Sequence, residues 1–277
     1  MPARRLPAAV RTRLAERPPL PGWRDALTQV MLWALADLLY EGVRGLALGH
    51  QAAALAHARS LVSLERSLGL FHEQAIQRVL LPSHVAIDVA NWLYANAQFT
   101  VNVAFLAFLY VYRNDVFYFV RNMFFVAMGI ALLVHLILPV APPRMLPQFG
   151  FVDTIQEVAH VNQDSGAISL FVNPYAAVPS MHMCFALLVG VTGVLLARSR
   201  WVRLACALYP LIVLAAIIVT ANHFFLDALA GAATALTAAL IAHRLMSRIR
   251  PLHWAWRTAP DVPLARRGGR APADARA

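Results

Sequence analysis

His223 and Asp227 stand four residues apart at the start of a long apolar stretch, and this is the most informative spacing of chemically active residues in the sequence. On a helix, this spacing places both side chains on one face. A carboxylate beside an imidazole selects its tautomer and raises its basicity, which makes the ring a usable nucleophile. Asn222 precedes the pair and is expected to cap the helix. A solvated polar helix end at a membrane surface explains the spacing alone equally well.

A second histidine follows a helix-start signal in Pro179-Ser180-Met181-His182. Proline and serine directly before an apolar run predict that Ser180 caps a helix and that His182 lies in its first turn. The free N–H groups of a helix start attract anions, and a histidine there is placed to donate a proton to a leaving oxygen. On this motif alone, a capped helix with an interfacial histidine is the simpler explanation.

Arg144 is the only arginine of the long connection at about residues 141–180, where it follows two prolines. Its guanidinium can hold two phosphate oxygens in bidentate fashion. A lone arginine in a loop is otherwise a solvated residue or a contact to lipid headgroups. The functional interpretation therefore requires Arg144, His182 and His223 to lie at one membrane face.

The composition indicates which kind of molecule must position these residues. The chain has 277 residues, of which 60% are hydrophobic and 14% charged, whereas soluble domains are about 25% charged. It is too apolar for a soluble enzyme or a disordered protein, which leaves an integral membrane protein. Spans of about 20 apolar residues are predicted at 26–48, 89–112, 120–140, 181–197, 201–220 and 223–245. The predicted fold is an all-α bundle of six transmembrane helices.

Segments outside the predicted spans complete the domain organisation. Residues 52–68 carry leucines separated by arginines, a pattern typical of an amphipathic helix on the outer membrane surface. Residues 25–248 are expected to form one catalytic membrane domain. The segments 1–24 and 249–277 are rich in arginine and proline and are expected to be disordered cytoplasmic tails.

All 24 basic residues are arginines, and their distribution predicts the topology. Nineteen lie in the N-terminal segment, the second and fourth connections and the C-terminal end, and five lie elsewhere. Because cytoplasmic loops carry the basic excess, both termini are expected inside and the histidine-bearing connections outside the cell membrane. Topology and lipid headgroups then explain the basic charge, without a nucleic-acid partner. The exclusive use of arginine also indicates a GC-rich bacterial genome.

The motif Pro179-Ser180-x-His182 and, about forty residues later, His223-x-x-x-Asp227 together resemble the second and third motifs of the type 2 phosphatidic acid phosphatase superfamily. The resemblance covers the last four predicted spans. It implies that His223 attacks phosphorus and becomes phosphohistidine, and that Asp227 orients the ring. It also implies that His182 protonates the leaving group and then activates the acceptor, while Arg144 matches in part the arginine of the first motif.

The departures from that family resemble one of its branches. Ile137 stands seven residues before Arg144, where the family has lysine, and Ala216 and Ile217 replace the Ser-Arg pair of the third motif. This pattern resembles the inositol phosphorylceramide synthase branch, whose enzymes move a phospho-headgroup between lipids or onto a lipid alcohol. The stretches 173–182 and 65–69 also resemble its bacterial relatives. The resemblance implies these substrate-binding residues: Arg144, Asn173, Tyr175, Ser180 and Asn222.

Three functions remain open from the sequence. The first is transfer of an inositol-phosphate-like headgroup to a lipid alcohol, and the second is hydrolysis of phosphatidic acid or a polyprenyl phosphate at the same site. The third is a non-catalytic transporter or scaffold, in which polar residues of the first two spans line a pathway. Membrane lipids are the expected substrates, no metal or other cofactor is expected, and the oligomeric state is left open. We expect Arg59, Arg66 or Arg78 to replace the missing phosphate-binding cations.

Overall fold

The structure, a computed structural model, describes residues 22–45, 51–154, 175–250 and 254. Within these ranges the chain is helical, apart from its loops and an isolated parallel bridge between Val140 and Ala176. The helices are α1 (Trp23–Gly45), α2 (Gln51–Ser67), α3 (Glu73–Leu80), α4 (His84–Ala97), α5 (Thr100–Tyr112), α6 (Asn114–Ile137), α7 (Met181–Leu196), α8 (Arg200–Val219) and α9 (Phe225–Ile241). The all-α prediction is therefore confirmed for the described residues.

All six predicted spans coincide with helices, but the structure supports fewer complete crossings. Three helical segments in the described ranges are long and apolar enough to cross a membrane: Asn114–Ile137, Arg200–Val219 and Phe225–Ile249. The pair α4 and α5, which is bent by 46° at its break, would make a fourth. Helix α7 is apolar but has only 16 residues, and Asp37 and Glu41 make α1 more polar than the others. The count of six crossings stays a prediction.

Small residues allow the helices to pack at close range, as is usual in membrane bundles. A Cβ atom on Gly190 of α7 would lie 2.7 Å from the Pro210 ring of α8, and one on Gly193 would lie 2.6 Å from the Cys206 sulfur. On α9, Gly231 lies directly against the backbone of Ser180. Helices α8 and α9 therefore both press on α7, which carries the second histidine motif.

Helix α2 forms as predicted, and the expected apolar face is buried in part, since Leu55 and Leu61 pack against the bundle. Its buried residues are Ala54, Ala58, Val62 and Glu65, which pack against the loops around residues 140–151 and 221–224. Leu64 and Leu68, which were expected on its apolar face, are exposed. Helix α3 likewise buries Glu73 and Gln77 and exposes Val79. Each helix turns a glutamate toward free backbone N–H groups at the end of the bundle, Glu65 on α2 and Glu73 on α3, and leaves some apolar side chains exposed.

Some predictions fall on parts of the chain outside the described residues. These include nearly all of both predicted tails, residues 1–21 and 255–277, and the substrate-binding candidate Asn173. Their predictions stand untested.

Candidate active site

The turn between α8 and α9 carries His223 and Asp227. Helix α9 begins at Phe225, so His223 lies two residues before the helix and Asp227 lies in its first turn. The expectation that Asn222 caps α9 is wrong, because Phe224 occupies the N-cap position and the Asp227 carboxylate accepts its N–H at 2.9 Å. Ala221, at the start of this turn, has a left-handed backbone with a φ of 51°. A non-glycine residue in this conformation is unusual and indicates a tightly held turn.

The imidazole of His223 is buried, with one nitrogen tied to the protein. Its Nδ1 lies 3.1 Å from the Ala177 carbonyl oxygen and 3.4 Å from Asp227 Oδ2. Both neighbours are acceptors, so the proton belongs on Nδ1 and Nε2 keeps its lone pair. Burial, reinforced by the positive charge of Arg144, lowers the pKa of His223 to about 4, although the bond to Ala177 opposes this. The predicted rise in basicity is therefore outweighed by burial, and the ring is neutral at neutral pH.

The second histidine motif folds as predicted. Ser180 is the N-cap of α7 and its hydroxyl accepts the Met183 N–H at 3.3 Å, which places His182 in the first turn. The His182 ring stacks on Tyr94 of α4, with centroids 4.3 Å apart, and His182 Nε2 lies 3.2 Å from the Tyr94 carbonyl oxygen. Tyr94 was not identified from the sequence, since a tyrosine within an apolar helix carries no local signal.

The two histidines are brought together by the contact between α7 and α9. The Ser180 N–H donates to the Asp227 carbonyl oxygen at 3.0 Å, which joins the starts of the two helices. The rings of His182 and His223 lie edge to face, with centroids 5.6 Å apart. Both residues are less than a tenth exposed. The pair of imidazoles predicted from the sequence therefore lies together at one end of the bundle.

Arg144 reaches the same turn from the loop after α6. Its backbone N–H donates to the Ala221 carbonyl oxygen at 2.8 Å, and its Nε donates to Asn222 Oδ1 at 3.0 Å. Its Nη1 donates to Asp153 Oδ2, also at 3.0 Å, in an ion pair whose side chains are 6% and 15% exposed. No acceptor for its Nη2 is found among the described residues. Arg144 thus braces the His223 turn and retains donors for an anion.

The other predicted substrate-binding residues have mostly internal partners. The Asn222 amide donates to the Thr220 carbonyl and hydroxyl oxygens while its own oxygen accepts from Arg144. Ser180 is fully buried, and Tyr175 is 8% exposed, with its carbonyl oxygen accepting the Val140 N–H. These residues shape the pocket, and a direct contact to substrate stays a prediction for each.

The three positions at which this chain departs from the family's first and third motifs lie in apolar or exposed surroundings in the structure. Ala216 and Ile217 are buried in the packing between α4, α7 and α8, and Ile137 is largely exposed at the end of α6. Among the proposed replacements, Arg66 is exposed and its guanidinium lies 4.9 Å from the Phe71 ring and 5.1 Å from the Phe149 ring. This places Arg66 against the loop that begins with Arg144.

Two buried glutamates next to the His223 turn were not assigned a role from the sequence. Glu65 Oε1 accepts the Leu226 N–H at 2.8 Å, and Glu73 Oε1 accepts the Phe225 N–H at 2.9 Å. The two contacts join residues that are 161 and 152 positions apart in the sequence. No local sequence pattern predicts contacts over such a separation. In the part of the chain that the structure describes, no group of three or more His, Cys, Asp or Glu side chains is placed to hold a metal ion.

The arrangement unites a neutral imidazole with a free lone pair, a second imidazole at a helix start, and a guanidinium. Groups of these types can act as a nucleophile, a proton donor and an anion ligand, which is the set that phosphoryl transfer needs. A family model described as PAP2 superfamily matches residues 59–241, which is more than half of the chain. No curated protein and no solved structure matches the chain.

Proposed function

We propose that this chain, which belongs to the PAP2 superfamily, transfers a phospho-headgroup from one membrane lipid to the alcohol of another. Membership indicates lipid phosphate chemistry of the phosphatase or phosphotransferase type. The observation that carries the finer proposal is the close approach of the buried His182 and His223 rings, with centroids 5.6 Å apart and Arg144 braced beside them. A phosphoryl group between the rings is within reach of both.

The reaction has two displacement steps. His223 Nε2 attacks phosphorus, the bond from phosphorus to the lipid oxygen of the donor breaks, and His182 gives that oxygen a proton. The headgroup phosphate is then held on His223 as a phosphoramidate. His182 next takes the proton of the acceptor hydroxyl, whose oxygen attacks phosphorus, and the N–P bond breaks. His223 and His182 return to their starting states.

The geometry supports each role by physical chemistry. Nδ1 of His223 is held by Ala177 and Asp227, so Nε2 attacks without first losing a proton. Asp227 lies 3.4 Å from the ring, where a carboxylate steadies the positive charge that develops during attack. The start of α7 and Arg144 offer N–H groups to the phosphoryl oxygens. Electrostatic stabilisation of this kind is the largest contribution in many enzymes.

Transfer rather than hydrolysis is proposed because the site has few cations. A phosphomonoester brings two negative charges, whereas the phosphodiester of a lipid headgroup brings one. Ala216, Ile217 and Ile137 occupy the places of three residues of the family's motifs, so the site is better matched to the singly charged diester. An inositol-phosphate-like headgroup is our specific candidate, in keeping with the resemblance of the sequence to the inositol phosphorylceramide synthase branch.

The test is a lipid panel with purified protein in nanodiscs. We expect headgroup exchange between phospholipids and lipid alcohols, loss of it in His223→Ala and His182→Ala, and retention in the matched surface variant His84→Ala, since His84 is exposed at the start of α4. Release of inorganic phosphate without exchange would favour hydrolysis of a lipid phosphate. Full turnover by His223→Ala would overturn the enzymatic proposal, and lipid or solute transport by that variant would favour a transporter.

We further propose that the bundle crosses the membrane six times, with both termini in the cytoplasm and the site outside. The arginine distribution supports this topology. Cysteines introduced at the exposed positions Ser63, on α2, and Ser199, before α8, report opposite ends. In intact cells, with both native cysteines replaced, an impermeant thiol reagent is expected to label Ser63→Cys alone. Labelling of Ser199→Cys alone would reverse the topology.

We also propose that Arg66 is the cation that supplements Arg144. Arg66 is exposed, and its guanidinium lies over the ring of Phe149, a residue of the loop that also carries Arg144. We expect Arg66→Gln to raise KM for the donor lipid, and the exposed Arg59→Gln and Arg78→Gln to behave as wild type. An unchanged KM in all three variants would remove this idea.

A further inference from the structure

We propose that Glu65 and Glu73 are a positioning pair for the nucleophile, two carboxyls that share one proton and hold the first turn of α9 so that His223 faces the substrate. This inference rests on the proposed function, since it assigns a role relative to His223. Both residues act through the backbone of α9, whose Phe225 and Leu226 N–H groups they accept.

Three successive N–H groups at the start of α9 are bound by carboxylate oxygens. Asp227 Oδ2 accepts from Phe224, Glu73 Oε1 accepts from Phe225, and Glu65 Oε1 accepts from Leu226, all at 2.8–2.9 Å. The N–H groups at a helix start have no partner within the helix, and they carry the positive end of its dipole. Because Asp227 is on α9 itself, the two glutamates are the partners through which these three N–H groups are bound to other helices.

The glutamates come from two different helices and are entirely enclosed. Glu65 is on α2 and Glu73 on α3, and both have no exposed surface. The two carboxyl groups are close enough to share a hydrogen bond, and Oε2 of each finds no N–H or O–H donor among the described residues. Two buried carboxylates this close would repel strongly if both were charged. A single proton between them removes one charge and gives both free oxygens a partner.

The proton state of this pair depends on its surroundings. The titratable groups that face Glu65 are Glu73 on α3 and Asp227 on α9, and both are acidic. The nearest base in sequence, Arg66, lies instead over Phe71 and Phe149. Burial, with the hydrogen bond to Glu73 and the nearby negative charges, raises the pKa of Glu65 to about 9. The shared proton is therefore kept at neutral pH and lost in alkaline solution, where repulsion would loosen the turn.

The inward-facing polar side chains also explain why helix α3, which exposes apolar residues, stays packed against the bundle. Helix α3 turns Glu73 and Gln77 inward, where Gln77 also donates to the Val152 and Val219 carbonyl oxygens. These contacts fix α3 against the end of α8 and the Arg144 loop. The carboxyl pair therefore couples the outer helices α2 and α3 to the position of the nucleophile.

The experiment compares three variants of the full-length protein in nanodiscs. Glu65→Gln keeps the acceptor oxygen and replaces the protonated carboxyl with an amide donor, Glu65→Ala removes both, and Asp88→Asn changes an exposed carboxylate on α4 as a control. Measured quantities are kcat and KM from pH 6 to pH 10, and amide hydrogen exchange of a peptide covering residues 224–230.

At pH 7 we expect Glu65→Gln and Asp88→Asn to be close to wild type. Glu65→Ala should lower kcat by roughly 10²-fold, the effect of a nucleophile displaced by about 1 Å, with little change in KM. Every variant should lose kcat in alkaline solution as His182 loses its proton, but wild type and Asp88→Asn should show a further loss above about pH 9 that Glu65→Gln does not show. Exchange of the 224–230 peptide should be faster in Glu65→Ala alone.

Two results would overturn the positioning role. One is a Glu65→Ala protein with wild-type kcat and wild-type exchange, and the other is a further loss of kcat above about pH 9 that Glu65→Gln leaves unchanged. Failure of the proposed function looks different, because His223→Ala would then retain turnover. In that case the hydrogen-exchange result would still report whether the carboxyl pair holds α9.

Discussion

Gly231 sets the distance between the two histidines, because it is the point at which α9 lies against the start of α7. A Cβ atom added at Gly231 would lie 2.3 Å from the Ser180 carbonyl oxygen and 3.3 Å from the Cys184 nitrogen. Both are backbone atoms, so no side chain can rotate away to relieve the clash. Restoring ordinary contact requires the helices to separate by about 1 Å, and His182 would move away from His223 with them.

We therefore expect Gly231→Ala to lower kcat for headgroup transfer by roughly 10²-fold, or roughly 2.7 kcal/mol in activation free energy. Overpacking should also cost about 1–3 kcal/mol of folding stability, so thermal unfolding in nanodiscs must show that the protein remains folded at the assay temperature. KM should change little, since Arg144 is not on either helix.

Gly129→Ala is the matched control. Gly129 is in the interior of α6, and a Cβ atom there meets nothing within 4 Å. Both substitutions change helix propensity alike, but only one separates α7 from α9. If Gly231→Ala retained wild-type kcat, or if both variants lost the same activity, the close α7–α9 contact would not be what positions the histidines.

Three further outcomes follow from charge and burial. Because burial lowers the pKa of His223 to about 4, its nucleophilic form persists in mild acid, and kcat/KM should not fall between pH 7 and pH 5. A loss with a midpoint near the ordinary histidine value would contradict this. Arg144→Ala should lower the free energy of unfolding by roughly 3 kcal/mol, because it removes the largely buried ion pair with Asp153; Arg113→Ala, which breaks an ion pair about a third exposed, should cost roughly 0–1 kcal/mol. Equal losses in denaturant titrations would contradict that reasoning. Finally, the folded chain keeps the Glu65 proton up to about pH 9, whereas the unfolded chain releases it near the ordinary glutamate value. Wild-type stability should therefore fall as pH rises across this window, and melting curves should show a flatter dependence for Glu65→Gln; an identical dependence would rule out the raised pKa.

Local sequence patterns were sufficient to predict the elements that carry the chemistry. Ser180 before an apolar run correctly located the start of α7. His223 and Asp227 lie in contact as expected, but they meet across the turn before α9 and not along one helix face, because the helix begins only at Phe225. The six apolar stretches were likewise found as helices. A segment that crosses a bilayer needs about 20 mostly apolar residues, so its composition alone identifies it.

The remaining parts of the site depend on contacts that no local pattern encodes. Asn222 was expected to cap α9, but its side-chain oxygen instead accepts a hydrogen bond from Arg144, which is 78 residues away in the sequence. Asp153, Tyr94 and the carboxyl pair are similarly brought to the site by folding of distant segments. The buried face of α2 was predicted only in part: Leu55 and Leu61 pack inward, whereas Leu64 and Leu68 are exposed. Glu65 is buried instead, because it accepts the free Leu226 N–H of a segment far away in the sequence.

A covalent intermediate on His223 is the most direct test of the proposed chemistry. Purified protein should be mixed with a phospholipid donor in the absence of acceptor alcohol, quenched under alkaline conditions that preserve phosphoramidates, and mapped by mass spectrometry. We expect one adduct carrying the headgroup phosphate on the peptide that contains His223, and none in His223→Ala. Turnover without any adduct on that peptide under single-turnover conditions, or an adduct that persists in His223→Ala, would contradict it.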